Sequence, residues 1–419
     1  MSSSAVPAPA VGKLESSLAG TSLKDPVPEG TTSAVVPTSS HDQVVTPWDV
    51  QGSVSSDGKQ QAIDYDKLIV QFGTRKIDEA ILQRFEKLTG KKPHILLRRG
   101  LFFSHRDFDK LLDRYEQGKA FLLVRVGSLF LSTQLLPDDD EKFLFKQSLK
   151  PEQTKAYGRQ NARDIIAVGF DLSKTFIFSD YDYISGPFYE NISKISRQIT
   201  YSQAKATFGF TDSDNIGRIH FAAVQAAPSF SNSFPQIYGT ISNIPCLIPC
   251  AIDQDPYFRL TRDVAQKLKY PKPMTLYSKF FPALQGAQTK MSASDPNTTI
   301  YMTDKPAQIK NKINKHGFSG GQETEEEHRR LGGNTDVDVS YQYLTCLLED
   351  DDEIAKIGED YRAGRMLTGQ LKAKCIETLQ KFVADFQEKR AKVTEETVSA
   401  FMDANRKIAP TLGKAQTAN

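Results

Sequence analysis

The 419 residues are too many for one compact core and suit two or three domains. With 39% hydrophobic and 25% charged residues the composition is that of a soluble globular chain, and four cysteines exclude a disulfide scaffold and point to a reducing compartment. Lys plus Arg, 53, against Asp plus Glu, 51, gives a formal +2, so a basic face for nucleic acid must be local, and the longest apolar run, Ile244 to Ile252, is short and holds two prolines, which excludes a membrane span.

Residues 1–46 are rich in Ser, Ala, Pro, Val and Thr, have no periodicity and read as a disordered tail. They lack the basic start and apolar core of a secretory signal, and no arginine precedes Arg75, which argues against a mitochondrial presequence. Cytoplasm is the default. An N-terminal extension, 47–95, of hairpin and helix is expected from Thr46-Pro47-Trp48-Asp49-Val50 onward. Asp78 opens a helix with Ile81, Phe85 and Leu88 on one face, and Gly90 stops it. A second helix starts near Ser104-His105-Arg106-Asp107-Phe108, carries Leu111, Leu112 and Tyr115, and ends at Gly118.

From Phe121 to Thr303 the pattern changes. Apolar runs at 121–126, 175–179, 245–252 and 274–281 alternate with helical stretches near 151–168, 216–227 and 257–268. Strands alternating with helices predict an open α/β sheet with parallel pairing and ligands at the carboxyl ends of the strands. A domain of this kind is expected over 96–303, an α-helical domain over 304–410 and a flexible tail over 411–419. In the helical part Thr324 and Glu327 form a capping box, and Gly332 ends that helix. Leu371, Ile376, Leu379, Val383 and Phe386 recur at helical spacing, with Lys372, Lys374, Lys381 and Lys389 filling the other face. Those lysines are a solvated face or a nucleic-acid face.

Cys246 and Cys250 have no further Cys or His nearby, and zinc takes about four ligands, so buried structural thiols and no metal are expected. His105 has no nucleophile to serve and reads as a helix-start residue. The chemistry-bearing segment is Gly286-Ala287-Gln288-Thr289-Lys290-Met291-Ser292-Ala293-Ser294, which follows the last strand. One lysine among hydroxyls and unobstructed backbone amides can wrap phosphates.

Lys-Met-Ser-x-Ser in that place resembles the signature loop of the class I aminoacyl-tRNA synthetases. The neighbouring wording is similar to the eukaryotic cytoplasmic tryptophanyl enzymes: Phe221-Ala222-Ala223-Val224-Gln225-Ala226-Ala227-Pro228-Ser229-Phe230, Ile248-Pro249-Cys250-Ala251-Ile252-Asp253-Gln254-Asp255-Pro256-Tyr257, Phe280-Phe281-Pro282-Ala283-Leu284-Gln285-Gly286 and Lys315-His316-Gly317-Phe318-Ser319-Gly320-Gly321. The resemblance implies a Rossmann-like catalytic domain followed by a helical domain that reads the anticodon. It implies ATP with Mg²⁺ and tryptophan as substrates, no tightly bound cofactor, tRNA(Trp) as acceptor and a homodimer. Lys290, with Met291, Ser292 and Ser294, would close over the triphosphate, Lys290 meeting the charge that builds as pyrophosphate leaves. Asp253 would face ATP. Glu141, Gln225 and Gln254 match the positions that hold the tryptophan ammonium. Alone, Glu141 in Asp138-Asp139-Asp140-Glu141-Lys142 also fits a solvated acidic turn, and Gln225 a helix surface. A tyrosine-specific ligase and a non-catalytic tRNA- or RNA-binding variant are the alternatives.

The resemblance has one break. The class carries a His-x-Gly-His-like tetrapeptide after the first strand of the nucleotide fold, where helix amides meet the ATP phosphates. None of the six histidines forms such a pair. The chain reads Val124-Arg125-Val126-Gly127-Ser128-Leu129-Phe130 and rejoins the pattern at Asp139-Asp140-Glu141-Lys142. Gly127-Ser128 between β-rich runs predicts a tight hairpin, whereas a parallel crossover takes a dozen residues or more. Roughly thirty residues, about one βαβ crossover, are missing against the pattern. A faulty gene translation or a genuine variant accounts for this, and a poor or inactive catalyst is expected.

Overall fold

The computed structural model describes residues 43–47, 50–53, 61–119, 121–123, 139–184, 186–290, 297 and 299–408, without the side chains of 287–290. Among these residues the strands are β1 (Val44–Val45), β2 (Val50–Gln51), β3 (Arg75–Lys76), β4 (Phe102–Arg106), β5 (Leu122–Leu123), β6 (Cys246–Ala251), β7 (Met274–Ser278), β8 (Pro282–Ala283) and β9 (Gly286–Lys290). The helices are α1 (Tyr65–Phe72), α2 (Glu79–Thr89), α3 (Ile95–Arg98), α4 (Phe108–Glu116), α5 (Asp139–Phe145), α6 (Pro151–Ala167), α7 (Asp180–Tyr183), α8 (Gly186–Ser196), α9 (Tyr201–Phe208), α10 (Ile216–Ala226), α11 (Pro235–Tyr238) and α12 (Asp255–Leu268). After the signature segment come α13 (Pro306–His316), α14 (Glu325–Leu331), α15 (Val339–Leu347), α16 (Asp351–Arg362), α17 (Thr368–Ala391) and α18 (Glu395–Met402).

The main sheet has the order β3-β4-β7-β6-β5. β5, β6 and β7 are parallel, with Leu122 opposite Cys246 and Leu247 opposite Met274. The flank is antiparallel: β4 runs against β7, His105 opposite Leu276, and β3 against β4. Ser104-His105-Arg106 is therefore strand, where a helix start was expected. Sheet pairing takes up the backbone of these largely buried residues, and α4 begins only after Asp107 turns through φ 59°. A second sheet has the order β1-β2-β9-β8. It sets Gln51 of the N-terminal hairpin opposite Thr289, one residue before Lys290. β1 falls inside the last residues of the stretch read as a tail. Gly52 is required beside this hairpin, because a Cβ there would sit 1.7 Å from the Gln61 carbonyl oxygen.

The local signals for helices have local causes. Asp78 accepts from the Ile81 amide at the start of α2, and Gly90 closes it at φ 68°. Thr324 accepts from the Glu327 amide before α14, and Gly332 follows at φ 72°. Such caps contribute about 1 kcal/mol each. The expected strand at 175–179 does not form. Its backbone is engaged elsewhere: the Ile177 amide donates to the Phe401 carbonyl at 3.1 Å, and Arg406 Nη2 donates to the Thr175 carbonyl at 2.6 Å. Its side chains Phe176 and Phe178 pack against Tyr183 and Phe234. The predicted hairpin at Gly127-Ser128 lies outside the described residues.

Two cores result. One lies on the sheet and includes Ile248, Ile252, Phe258, Val264 and Tyr277. The other fills the helical region with Ile313, Leu344, Leu371 and Leu379, and takes in Leu284 and Ile300 from either side of the signature segment. Charged joints link the parts. Arg98 and Arg99 reach Asp351 at 2.8 and 2.7 Å, and Arg390 pairs with Asp164 of α6. Arg98, then Arg99 and Lys92, hold the Asp351 carboxyl well below the usual range.

Candidate active site

The chain leaves β6 at Ala251, makes one 3₁₀ turn over Ile252–Gln254 and enters α12 at Asp255. The carboxyl end of a parallel strand followed by a helix N-terminus is where this architecture holds ligands. Asp253 is buried there, and Gln254 is half-buried. Glu141, half-buried, comes from the first turn of α5, so the acidic segment is helix rather than solvated turn. Gln225, also half-buried, sits near the end of α10. The two helices are locked together: Asn215 Nδ2 donates to the Leu144 carbonyl at 3.1 Å, Arg218 lies 4.6 Å over the Phe145 ring, and Phe145 meets Phe221 edge-on.

Tyr257 is influenced by two of the expected residues. Burial pushes its phenol well up, and the Asp253 and Glu141 carboxylates push the same way. Its ring stacks on Phe208 at 4.3 Å. Glu141 and Asp253 thus both act electrostatically on one phenol although 112 positions separate them. No described hydrogen bond joins Gln225 or Gln254 to them. The Lys290 backbone ends β9 opposite Pro282. Its side chain, and Met291, Ser292 and Ser294, lie outside the description.

Sequence reasoning missed the group that braces this turn. Asp255 is fully buried and takes Arg106 Nε at 2.8 Å, Arg259 Nε at 3.2 Å and the Tyr277 hydroxyl at 2.5 Å. Burial raises the Tyr277 phenol well above its ordinary range, and Asp255 adds to this. An acid followed by Pro256 at a helix start was the only local hint. Nothing in the chain near Arg106 announces its partner 149 residues away.

Other quoted motifs turn inward. Within 227–236, Ser233 Oγ donates to the Ala227 carbonyl, and Asn191 Nδ2 donates to Ser233 Oγ, both at 2.7 Å. The Phe318 amide donates to the Leu284 carbonyl at 2.7 Å, and Tyr343 donates to the Pro282 carbonyl at 3.0 Å. These two stretches strap the sheet to the helices. Lys374 pairs with Glu353 at 2.7 Å, which fits the solvated-face reading at that position. All four cysteines are free; Cys246, Cys250 and Cys375 are buried, and burial raises the Cys250 thiol well up. Among the described residues no group of three or more His, Cys, Asp or Glu is placed to hold a metal ion.

A Rossmann-like sheet with this turn, and a signature segment after its last parallel strand, defines a class I aminoacyl-tRNA synthetase. A family model for tRNA synthetases class I (W and Y) matches residues 231–384. The cytoplasmic tryptophan–tRNA ligase of Schizosaccharomyces pombe is 57% identical over 390 residues, covering 88% of this chain and 98% of the relative. That of Homo sapiens is 55% identical over 390 residues, covering 87% and 82%. The crystal structure of Plasmodium falciparum tryptophanyl-tRNA synthetase superposes with a TM-score of 0.75 at 44% identity, covering 82% of this chain and 96% of the other. The chain belongs to the tryptophan–tRNA ligase family. The 390-residue match to the fission-yeast relative draws on 88% of 419 residues, about 369, so a net of about twenty positions of the alignment have no counterpart here.

Proposed function

We propose that this chain is a cytoplasmic tryptophan–tRNA ligase by fold and by its amino-acid site, impaired in forming the adenylate. The family match along nearly the whole fission-yeast relative carries the first part. Tryptophan and ATP are the substrates, tRNA(Trp) the acceptor and a homodimer the working form. Residues 96–303 form the catalytic domain, and 304–410 read the anticodon. Glu141, Gln225 and Gln254 hold the tryptophan ammonium: a carboxylate supplies charge and two neutral amides supply acceptors. Asp253 lies toward ATP. Lys290, with Met291, Ser292 and Ser294, contacts the triphosphate, and Lys290 stabilises charge building on the leaving pyrophosphate. Mg²⁺ enters with ATP as part of the substrate.

The absent His-x-Gly-His turn carries the second part. Only fifteen residues separate Leu123 from Asp139, and the roughly twenty alignment positions without a counterpart in this chain are in keeping with a loss of sequence. Without that helix N-terminus the phosphates lose a set of preplaced amide donors. The test is tryptophan-dependent ATP–pyrophosphate exchange by this chain beside a version completed with the relative's βαβ unit. Exchange by the completed version alone is expected. Equal exchange by both would refute the impairment, and failure of both, with tyrosine also tried, would count against the ligase reading.

A further inference from the structure

We infer that Asp255 is a positioning residue that fixes the Ile252–Gln254 turn so that Gln254 meets the tryptophan ammonium; this rests on the ligase reading. Both oxygens of Asp255 are already taken. Oδ1 accepts from Arg106 Nε at 2.8 Å and from the Tyr277 hydroxyl at 2.5 Å, while Oδ2 accepts from Arg106 Nη2 at 3.1 Å and faces Arg259 Nε at 3.2 Å. A carboxylate so engaged, in a residue with no exposed surface, has nothing left for a ligand. It acts through its neighbours.

Arg106 carries the constraint outward. Its Nη1 donates to the Gly73 carbonyl at 3.1 Å and its Nη2 to the Phe72 carbonyl at 2.5 Å, at the end of α1. The network therefore ties the antiparallel flank (β4), the central strand β7 and the end of α1 to the first residue of α12. Gln254 is covalently next to that anchor, half-buried, and its backbone is the last of the turn. A bidentate arginine fixes direction as well as distance, so the turn cannot pivot about α12 while the pair holds. Helix α12 adds to the fit, since its N-terminus favours a carboxylate at Asp255.

The test compares two ligands by ligand-observed NMR titration on the full chain: L-tryptophan, and indole-3-propionate, which has the same ring and no ammonium. Asp255→Asn is expected to weaken tryptophan about tenfold and leave indole-3-propionate within about twofold, because only the ammonium contact is misplaced. Equal weakening of both ligands, as a merely structural role predicts, overturns the proposal, and so does no change in either. Should Asp255→Asn not fold, Tyr277→Phe keeps both ion pairs and removes one hydrogen bond; about a threefold loss confined to tryptophan is expected, and its absence overturns the proposal. A natural chain that binds neither compound overturns the ligase reading itself, a failure visible before any substitution is made.

Discussion

Two fully buried carboxylates, Asp255 at the end of the sheet and Asp338 in the helical region, solve the same problem differently. Asp338 is satisfied by neutral donors close at hand: the amides of Gly320 and Ser340 at 2.9 Å, Tyr341 at 3.2 Å and the Tyr361 hydroxyl at 2.8 Å. Asp255 is satisfied by Arg106 of β4, Tyr277 of β7 and Arg259 of its own helix α12. Around Asp338 the space is closed. A Cβ on Gly320 would meet the Asn334 carbonyl oxygen at 2.0 Å, and one on Gly333 would meet the Tyr361 ring at 2.4 Å. Around Asp255 the next residue, Gln254, is half-open. Asp338 is thus walled in by neutral groups, whereas Asp255, beside half-buried Gln254, is held by cations.

The largest effect expected is on chemistry alone. In a chain completed with the relative's βαβ unit, Lys290→Ala should slow pyrophosphate exchange by about 10²- to 10³-fold, as for loss of one preplaced donor, with an unchanged melting temperature. A loss of stability instead would put Lys290 on the scaffold side of the comparison.

Next comes acid. Burial, then Arg75, lowers the His105 imidazole to about 4, so it folds neutral. Below its ordinary 6.5 the unfolded chain takes up a proton that the folded chain refuses. Stability from this group is whole above pH 6.5 and falls, by up to about 3 kcal/mol, as the pH drops toward 4. Asp107 adds nothing in that window: burial would raise it, but Arg262 and Lys110 outweigh this and hold it at about 2. Urea midpoints for the natural chain and His105→Asn should converge across the window, and parallel curves would refute the assignment.

Gly333→Ala should cost about 2 kcal/mol, since the added methyl pushes Tyr361 off Asp338. Thermal unfolding should show the loss while tryptophan binding stays unchanged; weakened binding would erase the contrast between the two carboxylates. The smallest effect belongs to Lys374→Ala, which removes a half-exposed ion pair with Glu353 and should change stability by less than about 0.5 kcal/mol. A much larger loss, measured the same way, would show that this face is not merely solvated.

The expected site residues could be named because they sit in long distinctive stretches. Gln254 follows a strand end, and Glu141 and Gln225 were named on resemblance. That Glu141 and Asp253 both act electrostatically on Tyr257 was not legible, because no local pattern couples α5 to the turn after β6. The break before Asp139 was read from the sequence alone, where no His-x-Gly-His pair follows Leu123, and residues 124–138 lie outside the described residues.

What the sequence determined by itself was whatever depends on neighbours within a turn or two: the caps at Asp78 and Thr324, the stops at Gly90 and Gly332, the amphipathic face of α17 and the wording of the signature segment. Tertiary structure alone decided that β4 runs against β7, that β2 pairs with β9, that 175–179 spends its backbone on the C-terminal helix, and that Arg106 finds Asp255. Those pairings close loops of tens to hundreds of residues. Their free energy comes from surfaces and charges that meet only once the chain is folded, and no window of sequence contains both partners.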